Sequence, residues 1–143
     1  MELSMATNLR AFAHSYCRFI IHLVFVTKYR HPVLNEQIEQ EMVDLIRNVC
    51  TKNRCILLEA KADLAMKDHI HLVIDLAPDV AISTLAGTLK TVTSREIRKR
   101  HAAHLKPYYW KPVFWKRGYG GTSAGEAAEE TIMAYVRNQG KDD

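Results

Sequence analysis

Apolar residues crowd Tyr16–Thr27 (YCRFIIHLVFVT), a run rich in β-branched and aromatic side chains that predicts a strand. Pro32 punctuates the chain, and Asn35 is placed to cap a helix. Its apolar positions Ile38, Met42, Leu45, Ile46 and Val49 recur at helical spacing. Cys55–Glu59 and His69–Leu76 read as strands, with Ala60–Asp68 between them as either a strand extension or a turn. A second helix is predicted from Val80 to about Ala102, a fourth strand at Phe114–Thr122 and a closing helix at Ala127–Asn138. Residues 1–14 read as a loose leader. The order β-α-β-β-α-β-α predicts one α+β domain, a ferredoxin-like sandwich with an added C-terminal helix. No repeat, low-complexity tract or linker divides it.

Composition supports one ordinary globular domain: 143 residues, 48% hydrophobic and 25% charged, enough to bury a core. Cys17, Cys50 and Cys55 are odd in number and lack metal-like spacing, so they are expected to be reduced packing residues. No apolar run reaches membrane-spanning length, and MELSMATNLR lacks a signal peptide's apolar core, so a cytoplasmic location is expected. The net charge of +4 matters less than its distribution. Lys90–Arg117 holds nine Lys or Arg and one acid, Glu96, together with Tyr108, Tyr109, Trp110, Phe114 and Trp115. Cations for phosphates and aromatic faces for unpaired bases suit nucleic acid. A solvated helix face followed by core aromatics explains the stretch equally well. There is no G-x-x-x-x-G-K-[ST] loop, so nucleotide hydrolysis is not expected.

Two short patterns carry candidate chemistry. In His69-Ile70-His71, strand alternation puts both imidazoles on one face and Ile70, Leu72 and Ile74 on the other. Two imidazoles so placed can share a divalent ion, although two surface histidines are the commoner outcome. In the closing helix Ile132, Tyr135, Val136 and Gln139 share one face, which should dock on the rest of the protein. Periodicity alone favours a core tyrosine and an exposed glutamine there.

Four segments, FIIHLVFVTKYRHPVL (19–34), KDHIHLVID (67–75), VFWKRGY (113–119) and AYVRNQ (134–139), resemble the insertion sequence 200-like transposases. These are single-tyrosine members of the HUH superfamily. The matches keep the family's order and spacing from about Tyr16 onward. The resemblance implies a ferredoxin-like fold, a homodimer, and cleavage and rejoining of single-stranded DNA at element ends, hairpins among them, through a 5′-phosphotyrosine. It assigns Tyr135 as nucleophile and His69, His71 and Gln139 as metal ligands. Two imidazoles and an amide oxygen suit Mg²⁺ or Mn²⁺ better than zinc. Lys28, Arg30, Lys90, Arg95, Lys99, Arg100, Lys116 and Arg117 are the candidate DNA contacts. The small residues Thr122–Gly125 could act as a hinge, and the resemblance implies that Tyr135 of one subunit completes the site of the other; the alternative is a helix packed on its own subunit.

The chain departs from the family pattern at Lys67, where proline is usual, and at Gly120 and Gly121, where bulky strand residues are usual. Those glycines are expected to weaken the last strand and loosen the approach of the final helix. Tyr16, Tyr29 and Tyr119 read as core or DNA-contact residues, and His101 and His104 as phosphate neighbours. Asp68 and Asp75 read as second-sphere or surface groups, and His22 has no assigned role. Two other functions fit in part. One is a ferredoxin-like module that binds single-stranded nucleic acid without cutting, which leaves both short patterns as coincidence. The other is a domesticated HUH nuclease that cuts without mobilising an element.

Overall fold

The run FIIHLVFV, Phe19–Val26, forms strand β3, an inner strand flanked on both sides. The computed structural model describes residues 9–125 and 128–139. A small hairpin of β1 (Arg10–Phe12) and β2 (Ser15–Cys17) precedes β3. A 3-10 turn (Lys28–Arg30), α1 (Glu36–Lys52), β4 (Ile56–Ala62) and β5 (His69–Leu76) follow. Then come α2 (Ile82–Arg100), the short α3 (Ala102–Leu105), β6 (Gly120–Ser123) and α4 (Ala128–Arg137). The main sheet has the order β4-β5-β3-β6 with every neighbouring pair antiparallel. With α1 and α2 as its two crossovers, this is the expected ferredoxin-like arrangement.

Helices α1, α2 and α4 form where the pattern predicts, and α3 is an unpredicted short turn after α2. The Asn35 side chain accepts a hydrogen bond from the Ile38 amide at 2.9 Å, satisfying one orphan donor of α1. Ile38, Met42, Ile46 and Val49 are buried, and Leu45 lies at the edge of the core. In α2, Leu85, Ala86, Leu89, Thr93 and Ile97 turn inward. These side chains and Leu23, Phe25, Ile70, Leu72 and Ile74 form the main core on one face of the sheet. That leaves the other face for α4. Cys50 and Cys55 are buried in the same core and unbonded. Burial pushes the Cys50 thiol up to about 12, so it packs rather than reacts. Among the described residues no helix is long and apolar enough to cross a membrane.

Three expectations are corrected. The leader is partly structural: the Arg10 guanidinium is buried, 3.2 Å from the Asp75 carboxylate, and donates to the carbonyls of Arg54 and Asp75. Asp75 is therefore neither exposed nor at the candidate site. The first predicted strand is two strands broken at Arg18, because Ser15–Cys17 pairs with the leader instead of the main sheet. The last strand is confined to Gly120–Ser123. Phe114 and Trp115 are both buried in the main core but lie outside the strand ladder. They are held instead by an isolated bridge from Trp115 to Thr27.

Between β4 and β5 both anticipated outcomes occur: β4 runs on to Ala62, and a turn follows in which the Asp63 carboxylate accepts from the amides of Ala65 and Met66. Lys67 has φ of 59°, whereas a proline ring fixes φ near −65°. A proline could not adopt the backbone found at this position.

Candidate active site

The second face of the sheet holds a small cluster of Val24 and Val26 from β3 with Ile132 and Val136 from α4, and Tyr135 packs against it. The face predicted for α4 is the face that docks. Strand register aligns what lies beneath it. Val24 is opposite His71 on one side and Gly120 on the other, and Val26 is opposite His69. Directly paired residues project to the same side, so both histidines share the face covered by α4.

Gly120 is the seat of the Tyr135 ring. A Cβ built there would lie 2.7 Å from Tyr135 Cδ1 and 2.7 Å from Val24 Cγ1. The expectation that this glycine loosens the approach of the last helix is thus reversed: its missing side chain is what lets the ring approach. Thr122 and Ser123, expected in a hinge, are paired within β6, and the Ala124 amide donates to the Ile20 carbonyl at 3.0 Å. Any hinge is therefore shorter than Thr122–Gly125. Helix α4 lies on its own chain's β3 and β6.

His69 is held from behind. Its Nδ1 is 2.8 Å from an Asp68 carboxylate oxygen, and the other oxygen accepts from Arg30 Nε at 2.9 Å. Arg30 reaches on to donate to the Gln139 carbonyl at 3.1 Å. One unbroken chain of contacts therefore links the strand carrying the histidines to Gln139, two residues beyond the end of α4. Asp68 is buried, so its surface reading is wrong. Burial alone would raise its pKa, but hydrogen bonds from His69 and Arg30 outweigh it and hold the carboxyl below its usual range.

The far nitrogen of His69, Nε2, is buried and has no hydrogen-bond partner; the Asp63 carboxylate approaches it only to 3.7 Å. His71 Nδ1 faces His22 Nε2 at 3.3 Å, which leaves His71 Nε2 as its other nitrogen. Burial, then the neighbouring His69 and His22, lowers the His71 pKa to about 4, so it is the neutral, ligating form near neutral pH. An orphaned buried imidazole nitrogen beside a neutral imidazole is a donor set that a divalent cation fits. Among the described residues no group of three or more His, Cys, Asp or Glu is disposed to hold a metal. Gln139 stands at the end of α4, half-buried.

The candidate DNA contacts divide. Lys90 donates to the carbonyls of Lys116 and Gly118, tying α2 to the segment before β6, and Arg30 is taken up as above. Arg95 and Arg100 pair with Glu96, and Arg100 also with Glu41. With Lys99 they ride on α2, across the sheet from the histidines. Lys99 and Arg117 are exposed, while Lys28 and Lys116 are half-buried. His101 and His104 are structural, with Nε2 at 2.8 Å from a Glu41 oxygen and 3.0 Å from the Val33 carbonyl. Sequence reasoning left His22 without a role and did not single out Asp63. The alternation that pairs His69 with His71 also puts His22 and Val24 on one side of β3, a signal available without the structure.

A family model described as "Transposase IS200 like" matches residues 15–139. The chain is 27% identical over 134 residues to the transposase for insertion sequence element IS200 of Salmonella typhimurium, covering 94% of this chain and 85% of that one. It is 28% identical to the ISDra2 transposase TnpA of Deinococcus radiodurans, over 82% of this chain and 81% of that one. A crystal structure of a Deinococcus radiodurans protein assigned as a transposase superposes with a TM-score of 0.81 at 24% identity, covering 92% and 98% of the two chains. The REP-associated tyrosine transposase bound to a REP hairpin shares the fold more distantly, with a TM-score of 0.54, 14% identity and 90% and 74% coverage. With the family model spanning nearly the whole fold, from β2 through α4, the chain belongs to the IS200-like transposases.

Proposed function

We propose that this transposase cuts and rejoins single-stranded DNA with Tyr135 as nucleophile and a divalent ion, Mg²⁺ or Mn²⁺, held by His69, His71 and Gln139. The observation that carries the reading is the unpartnered Nε2 of His69, buried on the same sheet face that α4 covers. When bound, the ion polarises a non-bridging phosphate oxygen and offsets charge in the transition state. Asp68 fixes the tautomer and angle of His69, and His22 does so for His71. Tyr135, whose phenol has a free pKa of about 10, gives up its proton as its oxygen attacks phosphorus. The bond from phosphorus to the 3′ oxygen breaks, leaving a 5′-phosphotyrosine and a free 3′-OH. Attack by a 3′-OH on that phosphotyrosine restores the phenol and rejoins DNA. One phosphoester replaces another, so no nucleotide is consumed.

DNA hairpins at element ends are the proposed substrates, with the exposed Lys99 and Arg117 as contacts to phosphate, and the active form is a homodimer. The test is incubation with single-stranded element ends and Mn²⁺, followed by a denaturing gel. Wild-type protein should form a covalent adduct, and Tyr135→Phe should form none while still binding DNA. An adduct in that variant, or cleavage that survives EDTA, overturns the assignment.

A further inference from the structure

Beside the site the turn at Lys28–Pro32 faces the segment Pro107–Val113 across a cleft of about 850 Å³. Its walls carry five rings, Tyr29, His31, Tyr108, Tyr109 and Trp110. His31 lies among three of the others, with its ring 5.7 Å from Tyr29, 5.3 Å from Tyr108 and 5.4 Å from Tyr109. The two walls are tied by the Tyr109 hydroxyl, which donates to the Lys28 carbonyl at 2.8 Å. Tyr29 and Arg30 both have positive φ, 59° and 51°, so the turn is held in a conformation that side chains disfavour.

The cleft has the chemistry of a base-binding site. Lys28, Arg30 and Lys111 are among its lining residues and no carboxylate is. Trp110 is 92% exposed, an apolar plane left entirely to solvent at the rim. Cations beside aromatic faces favour an unpaired base with its phosphate, because every base offers a face to stack and every phosphate a charge. The volume falls within the roughly 300–1,000 Å³ of small-ligand pockets, room for a nucleotide or two. Position points the same way. Arg30 lines the cleft and also joins Asp68, behind His69, to the end of α4.

We propose that this cleft stacks an unpaired base of the DNA strand presented to Tyr135, a site for a nucleotide flanking the cleaved bond. The proposal rests on the single-stranded DNA reading above.

The chain has two tryptophans, and Trp115 is buried, so quenching by added DNA reports on Trp110. The full-length protein is titrated with a single-stranded oligothymidylate and with an abasic deoxyribose-phosphate chain of equal length. Fluorescence is read alongside the anisotropy of end-labelled probe. The oligothymidylate should quench Trp110 and the abasic chain should not. Trp110→Ala, a change outside the core, should weaken oligothymidylate binding about tenfold, the scale of one lost stacking contact. Trp110→Phe should restore most of it, and the salt dependence should be the same in all three proteins, since no phosphate contact is removed. Equal binding of both probes without quenching overturns the base site and leaves the DNA reading standing. Failure to bind either probe overturns the base site, and the Tyr135 adduct assay, which does not depend on Trp110, decides whether the DNA reading falls with it.

Discussion

Gly120→Ala places one methyl group where the Tyr135 ring and Val24 already sit. The new carbon would lie 2.7 Å from Tyr135 Cδ1, 3.0 Å from Tyr135 Cγ and 2.7 Å from Val24 Cγ1. Carbon atoms prefer about 3.5–4.0 Å, so the overlap is about 1 Å. Both contacts resist. Cδ1 and Cγ are the root of the ring, and a β-branched valine is stiff about its first torsion. Forcing such a contact costs about 1–3 kcal/mol in a packed core. Here the least costly relief is retreat of α4, which is held by the small cluster of Val24, Val26, Ile132 and Val136. A displacement of about 1 Å at a reacting group costs about a hundredfold in rate. Gly120→Ala should therefore lower single-turnover cleavage of a labelled single-stranded end by about that factor, with a fall of several degrees in melting temperature. Gly121→Ala is the control. Its Cβ would meet the tip of Leu23, Cδ2 at 3.2 Å, which can give way on the other face. Wild-type cleavage by Gly120→Ala, or an equal loss in Gly121→Ala, would refute the reasoning.

Asp68→Asn should weaken Mn²⁺ binding by about ten- to a hundredfold, as loss of a second-sphere carboxylate does, read from the free Mn²⁺ signal in electron paramagnetic resonance. Unchanged affinity would mean that the hydrogen bond to His69 does not orient it. A swapped α4 would make the same contacts on a partner's sheet. Equal mixtures of Tyr135→Phe and His69→Ala subunits should then recover about a quarter of wild-type sites, from one repaired site in each of the half that are heterodimers. No recovery from demonstrated heterodimers would establish that each site is built within one chain.

What the linear pattern revealed depended on where each residue's partner lies. His69–Leu76 is legible to the residue, because apolar side chains recur at every second position, Ile70, Leu72, Ile74 and Leu76, and that is local information. The start of α1 is equally plain, since Asn35 caps an amide three residues away. The break at Arg18 was hidden, for Ser15–Cys17 has strand chemistry whether it pairs with the main sheet or with Arg10–Phe12. Phe114–Thr122 was overextended because aromatic residues signal both strand and core. Gly120 reads as a weakness along the chain, and the ring that needs its space arrives fifteen residues later. The histidines and Tyr135 were identifiable from the family's motifs, but Arg30 was assigned to DNA by its charge alone. Its grip on Asp68 and Gln139 exists only after folding.

That grip makes two equilibria answer to one side chain. Arg30 holds the carboxylate that orients His69, and with its other arm it holds the carbonyl at the end of α4. Linkage is reciprocal: a ligand drawn to His69 strengthens docking of the helix by the same free energy with which docking strengthens the ligand. On the proposed function, the nucleophile and the groups that activate its target would thus not be assembled independently. A helix swung away from the sheet would leave His69 without this tie, so a half-built centre would hold the proposed ion less tightly and cut less well.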